Sequence, residues 1–251
     1  MKRIWVAMMF TFCMAAQTVE REMTADRPGF RNSTHLVGRG VVQVENGFSL
    51  SSDHTFFMEP EVRIGAFQWL ELRLMADNVV LRSSPGTGMA GTSDLQPGIK
   101  FPVFNRRKGT RVVAIVKSKI PSGHSSQSSS GYEPGAELIW DHEVTERFSL
   151  AGTWNLTRLK REQFVWQRAA SLSTNHKFGN RTKTFGEVYV LSPIELGRGN
   201  QWVVDAGIMR LVGDFLIVDA SAGHSIHGQN DWFVKVGFSV RTSIPQPAGG
   251  R

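Results

Sequence analysis

The stretch QWLELRLMAD, residues 68–77, alternates leucines with charged residues. Leu72 and Leu74 share one parity, whereas Glu71 and Arg73 occupy the other. Successive side chains of a β-strand point to opposite faces, so this spacing predicts a strand with one apolar and one charged face. The apolar face could meet a second sheet or the hydrocarbon of a membrane, and this stretch alone does not decide between them.

The same alternation recurs along the chain in segments of about ten residues, each followed by a turn signal and none with a helical period. The pattern predicts about twelve strands. We place them near residues 40–51, 55–65, 68–80, 93–104, 110–121, 131–141, 146–157, 163–177, 182–193, 200–211, 214–225 and 231–242.

The connections between these strands alternate in length. Residues 81–92 and 121–131 form long connections rich in Gly and Ser, whereas residues 105–109 and 179–181 form short ones. An even strand count with short turns at one end is typical of a bacterial outer-membrane barrel. A β-sandwich is the alternative, but nothing in that fold sorts its loops by length. We therefore predict the all-β class, as a transmembrane antiparallel up-and-down β-barrel.

The first residues have the layout of a secretory signal peptide. Lys2 and Arg3 precede an apolar core that runs from residue 4 to residue 14 and contains Cys13, the only cysteine. An ordinary N-terminal helix is the alternative. We divide the chain into a signal peptide at 1–16, an N-terminal periplasmic or lumen-plugging segment at 17–38, an outer-membrane β-barrel at 39–242 and a C-terminal tail at 243–251.

The formal net charge of +7 invites a nucleic-acid interpretation. The basic residues, however, are scattered or sit in turn-like clusters such as residues 105–108 and 158–161, with no helix or aromatic platform to organise a groove contact. We therefore expect no nucleic-acid partner. The expected partners are outer-membrane lipids and lipopolysaccharide, a small-molecule solute and the barrel-assembly machinery.

Catalytic and metal-binding patterns are weak. Asp219, Ser221 and His224 lie in one predicted strand, but Ser221 and His224 have opposite parity and cannot form a relay there. His224 and His227 lack further fixed ligands, so we expect no metal. The sequence predicts no cofactor and no enzyme, and a barrel lipase is kept only as a third alternative.

Charged residues on the lumen parity could select solutes or could pair into a network that fills the barrel, and both can hold together. Twelve strands would close at a backbone radius of roughly 12 Å, which leaves room for small solutes. The lumen-lining candidates are Glu45, Glu59, Glu61, Arg63, Glu71, Arg73, Asp94, Lys100, Lys117, Lys119, Glu187, Asp219 and Lys235.

Five short motifs occur in order along the chain. They are TADRPGF at 24–30, GRGVVQVENGFSL at 38–50, SDLQPGIKFPVF at 93–104, KIPSG at 119–123 and FGEVYV at 185–190. Together they resemble the outer-membrane transporter family of the MetA pathway of phenol degradation. The resemblance implies a channel in the outer membrane of a Gram-negative bacterium, through which small hydrophobic or aromatic compounds pass by passive or facilitated diffusion. A non-transporting structural or surface-interaction barrel is the alternative.

The resemblance also implies an Asp-Arg-Pro segment ahead of the first strand, which is filled here by Asp26, Arg27 and Pro28. With an even strand count both termini lie on the periplasmic side, close enough for this segment to enter the lumen. Asp26 and Arg27 could pair there with residues such as Arg73 or Glu71. We predict that residues 24–30 form an N-terminal plug that narrows the pore, and the alternative is a disordered leader.

Overall fold

The computed structural model describes residues 23–76, 79–82, 91–106, 109–124, 128–129, 131–161, 163–194, 198–229 and 231–242. The predicted signal peptide at 1–16 and the tail at 243–251 lie outside these residues. Within the described part of the chain, no helix is long and apolar enough to cross a membrane.

The described residues form fourteen β-strands in one antiparallel sheet. They are β1 (Val42–Ser51), β2 (Phe56–Met58), β3 (Glu61–Phe67), β4 (Leu70–Ala76), β5 (Val79–Arg82), β6 (Leu95–Arg106), β7 (Thr110–Lys119), β8 (Glu133–Glu143), β9 (Phe148–Lys160), β10 (Phe164–Phe178), β11 (Thr182–Leu191), β12 (Gln201–Val212), β13 (Leu216–His227) and β14 (Trp232–Arg241).

Two of the barrel strands each comprise two of these elements. β2 and β3 both pair with β1 and are separated by Glu59 and Pro60, and proline has no N–H for a sheet ladder. β4 pairs with β3 and β5 pairs with β2, so β4 and β5 are the two halves of the next barrel strand. Fourteen elements therefore make twelve barrel strands, each at a position where the sequence pattern predicts one.

The barrel closes where the first and last strands meet. β14 pairs with β1 in continuous register from Gln43 opposite Arg241 to Ser51 opposite Phe233. Every other barrel strand pairs with its neighbours along the chain. The prediction of an up-and-down antiparallel barrel of about twelve strands is confirmed.

All the connections at one end of the barrel are short, and the longest connections lie at the other end, as the sequence predicts, although three of the connections there are also short. Short turns follow β3, β6, β8, β10 and β12, and both ends of the described chain lie at this short-turn end. Gly179 and Gly213 lie in two of these turns with φ of 63° and 68°, a left-handed conformation that glycine adopts without strain. The long connections, such as the one between β7 and β8, lie at the opposite, long-loop end.

The outer face of the barrel is apolar and the inner face is polar. Leu72 and Leu74 are 41% and 44% exposed on the outside, whereas Glu71 is fully buried and Arg73 is 6% exposed on the inside. On β14, Val236 is exposed and Ser239, on the opposite parity, is buried. The leucines therefore lie on the outer face and the charges on the inner face, as the alternation predicts, and the core of the molecule is the filled lumen.

Candidate functional site

The chain before β1 runs through the barrel lumen. We call residues 23–41 the N-terminal segment. Its backbone and side chains bind inward-facing groups on widely separated strands. Gln43 Nε2 of β1 donates to Thr24 O at 2.7 Å, Asn32 Nδ2 donates to Glu137 of β8 at 2.7 Å, and Val37 N donates to Glu71 of β4 at 2.9 Å. The segment therefore crosses the lumen and returns to its own first strand.

Apolar side chains also hold this segment. Met23 and Ala25 pack in one buried cluster, and Leu36 packs against another. On the wall, the cluster of Met23 and Ala25 contains Met209, Leu211 and Ile217. The cluster that Leu36 packs against contains Val113, Ile115 and Ile139. These inward apolar residues break the polar pattern of the lumen, and burying them against the segment offsets the entropy lost in ordering it.

Asp26 lies at the centre of a buried ionic cluster. Lys100 Nζ donates to both of its carboxylate oxygens at 3.1 Å, Arg73 Nη1 also donates to it, and Arg63 Nη1 lies 3.3 Å from Oδ1. The backbone N–H of Ser33 donates to Oδ1 at 2.9 Å. Burial raises the pKa of Asp26, but the three cations outweigh it and hold that pKa well below its usual range.

The same cations bind carboxylates of the barrel wall. Arg63 donates to Glu45 at 2.7 Å and to Glu71 at 2.8 Å, and Arg73 pairs with Glu61. These residues come from β1, β3 and β4, which are adjacent in the sheet. Of the two roles considered for the lumen charges, ion pairing is visible in these contacts. Selection of solutes by the same residues stays a prediction.

Arg27 forms a second ionic cluster, nearer β14. Its Nη1 donates to Glu59 at 2.9 Å, and Lys235 Nζ donates to the same carboxylate at 3.0 Å. Arg27 Nε lies 3.7 Å from Asp219. Arg27 and its partner acids are at most 20% exposed, so little water competes for these contacts.

A third contact region, on β11, combines a carboxylate with an aromatic stack. Glu187 accepts hydrogen bonds from the backbone N–H groups of Phe30 at 2.8 Å and Arg31 at 3.3 Å. The Phe30 ring stacks on Tyr189, with centroids 4.4 Å apart and planes at 8°. Arg31 Nε donates to Ser173 of β10 at 3.1 Å.

A cavity of about 200 Å³ lies between the N-terminal segment and the wall at the short-turn end. Its lining mixes charged and aromatic groups, including Arg31, Phe148, Lys183, Phe185 and Glu187. Residues of the short turn between β8 and β9 contribute to its rim. The lumen therefore keeps room for a small molecule beside the segment on the β9 to β11 side.

The remaining candidates lie apart from these clusters. Lys117 of β7 pairs with Glu137 of β8 on the inner wall, and Lys119 is the last residue of β7. Asp94 precedes β6 and binds the connection between β7 and β8. It accepts hydrogen bonds from the backbone N–H groups of Ser122 at 2.9 Å and Ser129 at 2.7 Å.

Asp94 is a loop anchor in these contacts. Its carboxylate also accepts hydrogen bonds from the N–H of Gly123 and from the Ser128 hydroxyl. Burial raises the pKa of Asp94, and the hydrogen bonds from the serine hydroxyls and the backbone outweigh it, so the pKa lies well below its usual range. A role of Asp94 in solute selection stays a prediction.

The sequence interpretation missed several residues of the site. Phe30 and Tyr189 were not candidates, although Tyr189 shares its parity with Glu187 and therefore had to face the lumen. Ser221 is buried inside the barrel and His224 is exposed outside, as their parities indicate. Among the described residues, no group of three or more His, Cys, Asp or Glu side chains could hold a metal ion.

Comparisons with known proteins agree with this geometry. The profile of the family described as "Putative MetA-pathway of phenol degradation" matches residues 25–242. The fold is similar to an outer membrane channel from Pseudomonas putida F1, with a TM-score of 0.67 and 8% identity over 86% of this chain and 99% of that chain. It is also similar to the KdgM porin, with a TM-score of 0.58 and 9% identity over 79% of this chain and 98% of that chain. None of the curated proteins matches this chain in sequence.

Proposed function

The chain belongs to the family of the MetA pathway of phenol degradation, and from this premise we propose that it is an outer-membrane channel for small hydrophobic or aromatic compounds. We propose that solutes cross by passive or facilitated diffusion. The family match covers the N-terminal segment as well as the barrel, so both belong to the same functional unit.

The observation that carries this proposal is the stack of Phe30 on Tyr189 inside a polar lumen. The lumen of an outer-membrane barrel is ordinarily lined by polar side chains. Aromatic rings inside a lumen lined by charges therefore indicate a specific role. Parallel rings 4.4 Å apart create a surface on which a planar solute can stack in place of Phe30. The cavity of about 200 Å³ is lined by Arg31 and Glu187, which neighbour the two rings along the chain, and it has room for a compound with one aromatic ring.

Two further rings lie on the same side of the lumen, each over a glycine. A Cβ atom on Gly207 would lie 2.5 Å from Phe185 Cε1, and one on Gly223 would overlap the Phe233 ring. These glycines therefore leave space for inward-facing rings on β11 and β14. Together with the stack, the rings line a path along the β11 to β14 side, from the short-turn end toward the long-loop end.

The ionic clusters keep the rest of the lumen closed. Asp26 binds the wall on β1, β3, β4 and β6, so the segment is held most firmly on that side. Arg27 binds Glu59 and lies 3.7 Å from Asp219 of β13. We propose that solutes pass along the side that carries the aromatic rings, where the contacts of Phe30 and Arg31 with β11 and β10 must open. In this arrangement the charged candidates close the lumen and position the segment, and the aromatic rings recognise the solute.

The localisation and partners follow from the same premise. We propose that residues 1–16 are a cleaved signal peptide, that the barrel-assembly machinery inserts the chain, and that outer-membrane lipids and lipopolysaccharide surround it. The chain has no proposed catalytic role.

Uptake of radiolabelled phenol and alkyl-aromatic compounds by cells with and without the protein tests the proposal. Tyr189→Leu removes the stacking surface and is expected to lower aromatic uptake several-fold, while uptake of a polar sugar of similar size stays unchanged. Val188→Leu, on the outward parity of the same strand, is the matched control. Equal aromatic uptake with and without the protein would contradict the channel, and conductance in planar bilayers then separates a closed channel from a structural barrel.

A further inference from the structure

Cations are rare on the lipid-facing side of this barrel. Among strand residues whose side chains the structure describes, lysine or arginine occupies the outward parity at Arg158, Lys160, Arg168 and Arg210. The first three lie together on β9 and β10 at the long-loop end, whereas Arg210 lies near the short-turn end. We call Arg158, Lys160 and Arg168 the basic rim.

The sheet register brings these three side chains close together. Lys160 lies opposite Phe164, Arg158 lies opposite Trp166, and Arg168 follows two residues later on the same face of β10. Directly opposed Cβ atoms in an antiparallel pair are about 5 Å apart, and diagonal neighbours are about 7 to 8 Å apart. Lys160 and Arg168 flank Arg158 and are about 13 Å apart along the strands, so a headgroup with two phosphates can reach all three cations.

Phe164 holds two of the cations in place. Arg158 Cζ lies 3.6 Å from the centroid of the Phe164 ring, and Lys160 Nζ lies 4.8 Å from it. This cation–π geometry orders the side chains and leaves their hydrogen-bond donors available. Within the described chain, no carboxylate forms an ion pair with Arg158, Lys160 or Arg168; the nearby Glu133 pairs with Arg161.

The surface below the basic rim is apolar. Trp154 and Leu156 on β9 and Leu172 on β10 share the outward parity and are exposed. Trp166, also exposed, lies beside Arg158 at the level where aromatic side chains mark a membrane interface. Charges on the lipid face are costly at the midplane and nearly free at the interface, so this rim belongs at headgroup height.

We propose that the basic rim is a binding site for the phosphate groups of a phosphorylated lipid of the outer leaflet, the lipid A part of lipopolysaccharide. Arg158 and Arg168 bind phosphate oxygens through paired N–H donors, and Lys160 adds a point charge. The acyl chains lie along Trp154, Leu156 and the apolar surface below. This inference rests on the outer-membrane location in the proposed function and is independent of solute transport.

The charge pattern favours this occupant over a protein partner. Three cations without acids between them repel one another and gain from a compact polyanion, and the exposed apolar side chains of Trp154, Leu156 and Leu172 below them can pack against acyl chains. The long-loop end faces the outer leaflet when the termini are periplasmic. That leaflet is where a phosphorylated, multiply acylated lipid is available.

Native mass spectrometry of the purified barrel in detergent tests the site with bisphosphorylated lipid A and with dephosphorylated lipid A of the same acyl pattern. The unchanged protein is expected to bind the phosphorylated lipid at least tenfold more tightly. The triple variant R158Q/K160Q/R168Q is expected to lose this preference, and Arg210→Gln, at the opposite end, is expected to keep it. Heat-resistant electrophoretic mobility verifies that each variant is folded.

A triple variant that fails to fold is replaced by the single variant Arg168→Gln, because Arg168 makes no contact with Phe164 in the structure; a several-fold loss is then expected. Retention of the full preference by a folded variant would overturn the proposal. Equal binding of phosphatidylglycerol and lipid A by the unchanged protein would also overturn it, because the rim would then bind any anionic lipid. Aromatic uptake is expected to be unchanged in these variants, so the failure of this site is separable from failure of the channel.

Discussion

Gly47 of β1 lies directly beneath the guanidinium group of Arg27, so closely that a Cβ atom at position 47 would overlap the guanidinium carbon. On the other side, a Cβ atom on Gly237 would lie 2.7 Å from Arg27 Nε. Gly47 and Gly237 face each other across the β1 to β14 ladder. Two opposed glycines thus leave the inner wall open at the place where the Arg27 side chain lies.

Gly47→Val is expected to displace Arg27 and to loosen the N-terminal segment, because the valine side chain would fill the space beneath the guanidinium. Valine suits a β-strand, so the barrel itself is expected to remain heat-resistant. Single-channel conductance should rise about twofold or more, and proteases should cut the segment. The control is Gly186→Val, since a Cβ there meets only Thr174 Oγ1, at 3.7 Å. Equal conductance in both folded variants would show that this glycine does not hold the segment.

Deletion of residues 17–30 is expected to increase single-channel conductance and to leave the folded barrel intact. The deletion removes Asp26, which binds β1, β3, β4 and β6, Arg27, which binds Glu59 and lies near Asp219, and Phe30, which covers Tyr189. Planar-bilayer recordings and heat-resistant mobility on gels measure the two effects. If a correctly folded deletion protein conducts like the full chain, the segment does not narrow the pore.

Asp26→Asn is expected to weaken the docking of the segment by about 3 to 5 kcal/mol, because Arg63, Arg73 and Lys100 lose a buried counter-charge. The pKa of Asp26 in the docked segment is held below its usual value, so its contribution is fully present above the undocked pKa of about 3.9. It is lost only as the pH falls through the docked pKa, which lies far lower.

Conductance of the unchanged protein should therefore stay constant between about pH 7 and pH 4 if Asp26 governs docking. The Asp26→Asn protein should show raised or noisier conductance over the whole of that interval. A rise in the unchanged protein near pH 4 would mean that another carboxylate, with a higher pKa, controls the segment.

Asp94→Ala is expected to release the connection between β7 and β8 at the long-loop end. Ser122, Gly123, Ser128 and Ser129 would lose their shared acceptor. Amide hydrogen exchange in residues 120–124 and 128–129 should accelerate by at least tenfold, corresponding to about 1.4 kcal/mol of local stability. Asp53→Ala, in the turn between β1 and β2, should leave that exchange unchanged. Unaltered protection in Asp94→Ala would show that the loop is held by other contacts.

The barrel was predictable because period-two alternation is a local property of the sequence. Leu72 and Glu71 differ in parity. In a closed barrel, if the face that carries Leu72 points outward, the face that carries Glu71 must point into the lumen. The sorting of short and long connections followed from the same segments. The interruption at Glu59 and Pro60 was not predicted. A proline after a glutamate is equally compatible with a bend inside one strand and with the end of that strand.

The contacts of Asp26 and Arg27 were only partly predictable. Arg73 was an expected partner of the plug, but Lys100 and Arg63 lie on other strands, and their approach to one carboxylate depends on barrel closure. Asp94 shares the lumen parity of β6, and the sequence could not reveal that the strand begins one residue later. The Phe30 and Tyr189 stack requires the path of the segment across the lumen, which no local pattern encodes.

The ladder between β1 and β14 has a consequence for the order of assembly. Gly47 belongs to the first strand and Gly237 to the last. The space that the two glycines leave for Arg27 therefore forms only when β1 pairs with β14. Arg27 can therefore occupy this position only after β1 and β14 have paired. Docking of Arg27 therefore requires a closed barrel. In a barrel whose first and last strands have not paired, the N-terminal segment would remain undocked and accessible to periplasmic chaperones and proteases.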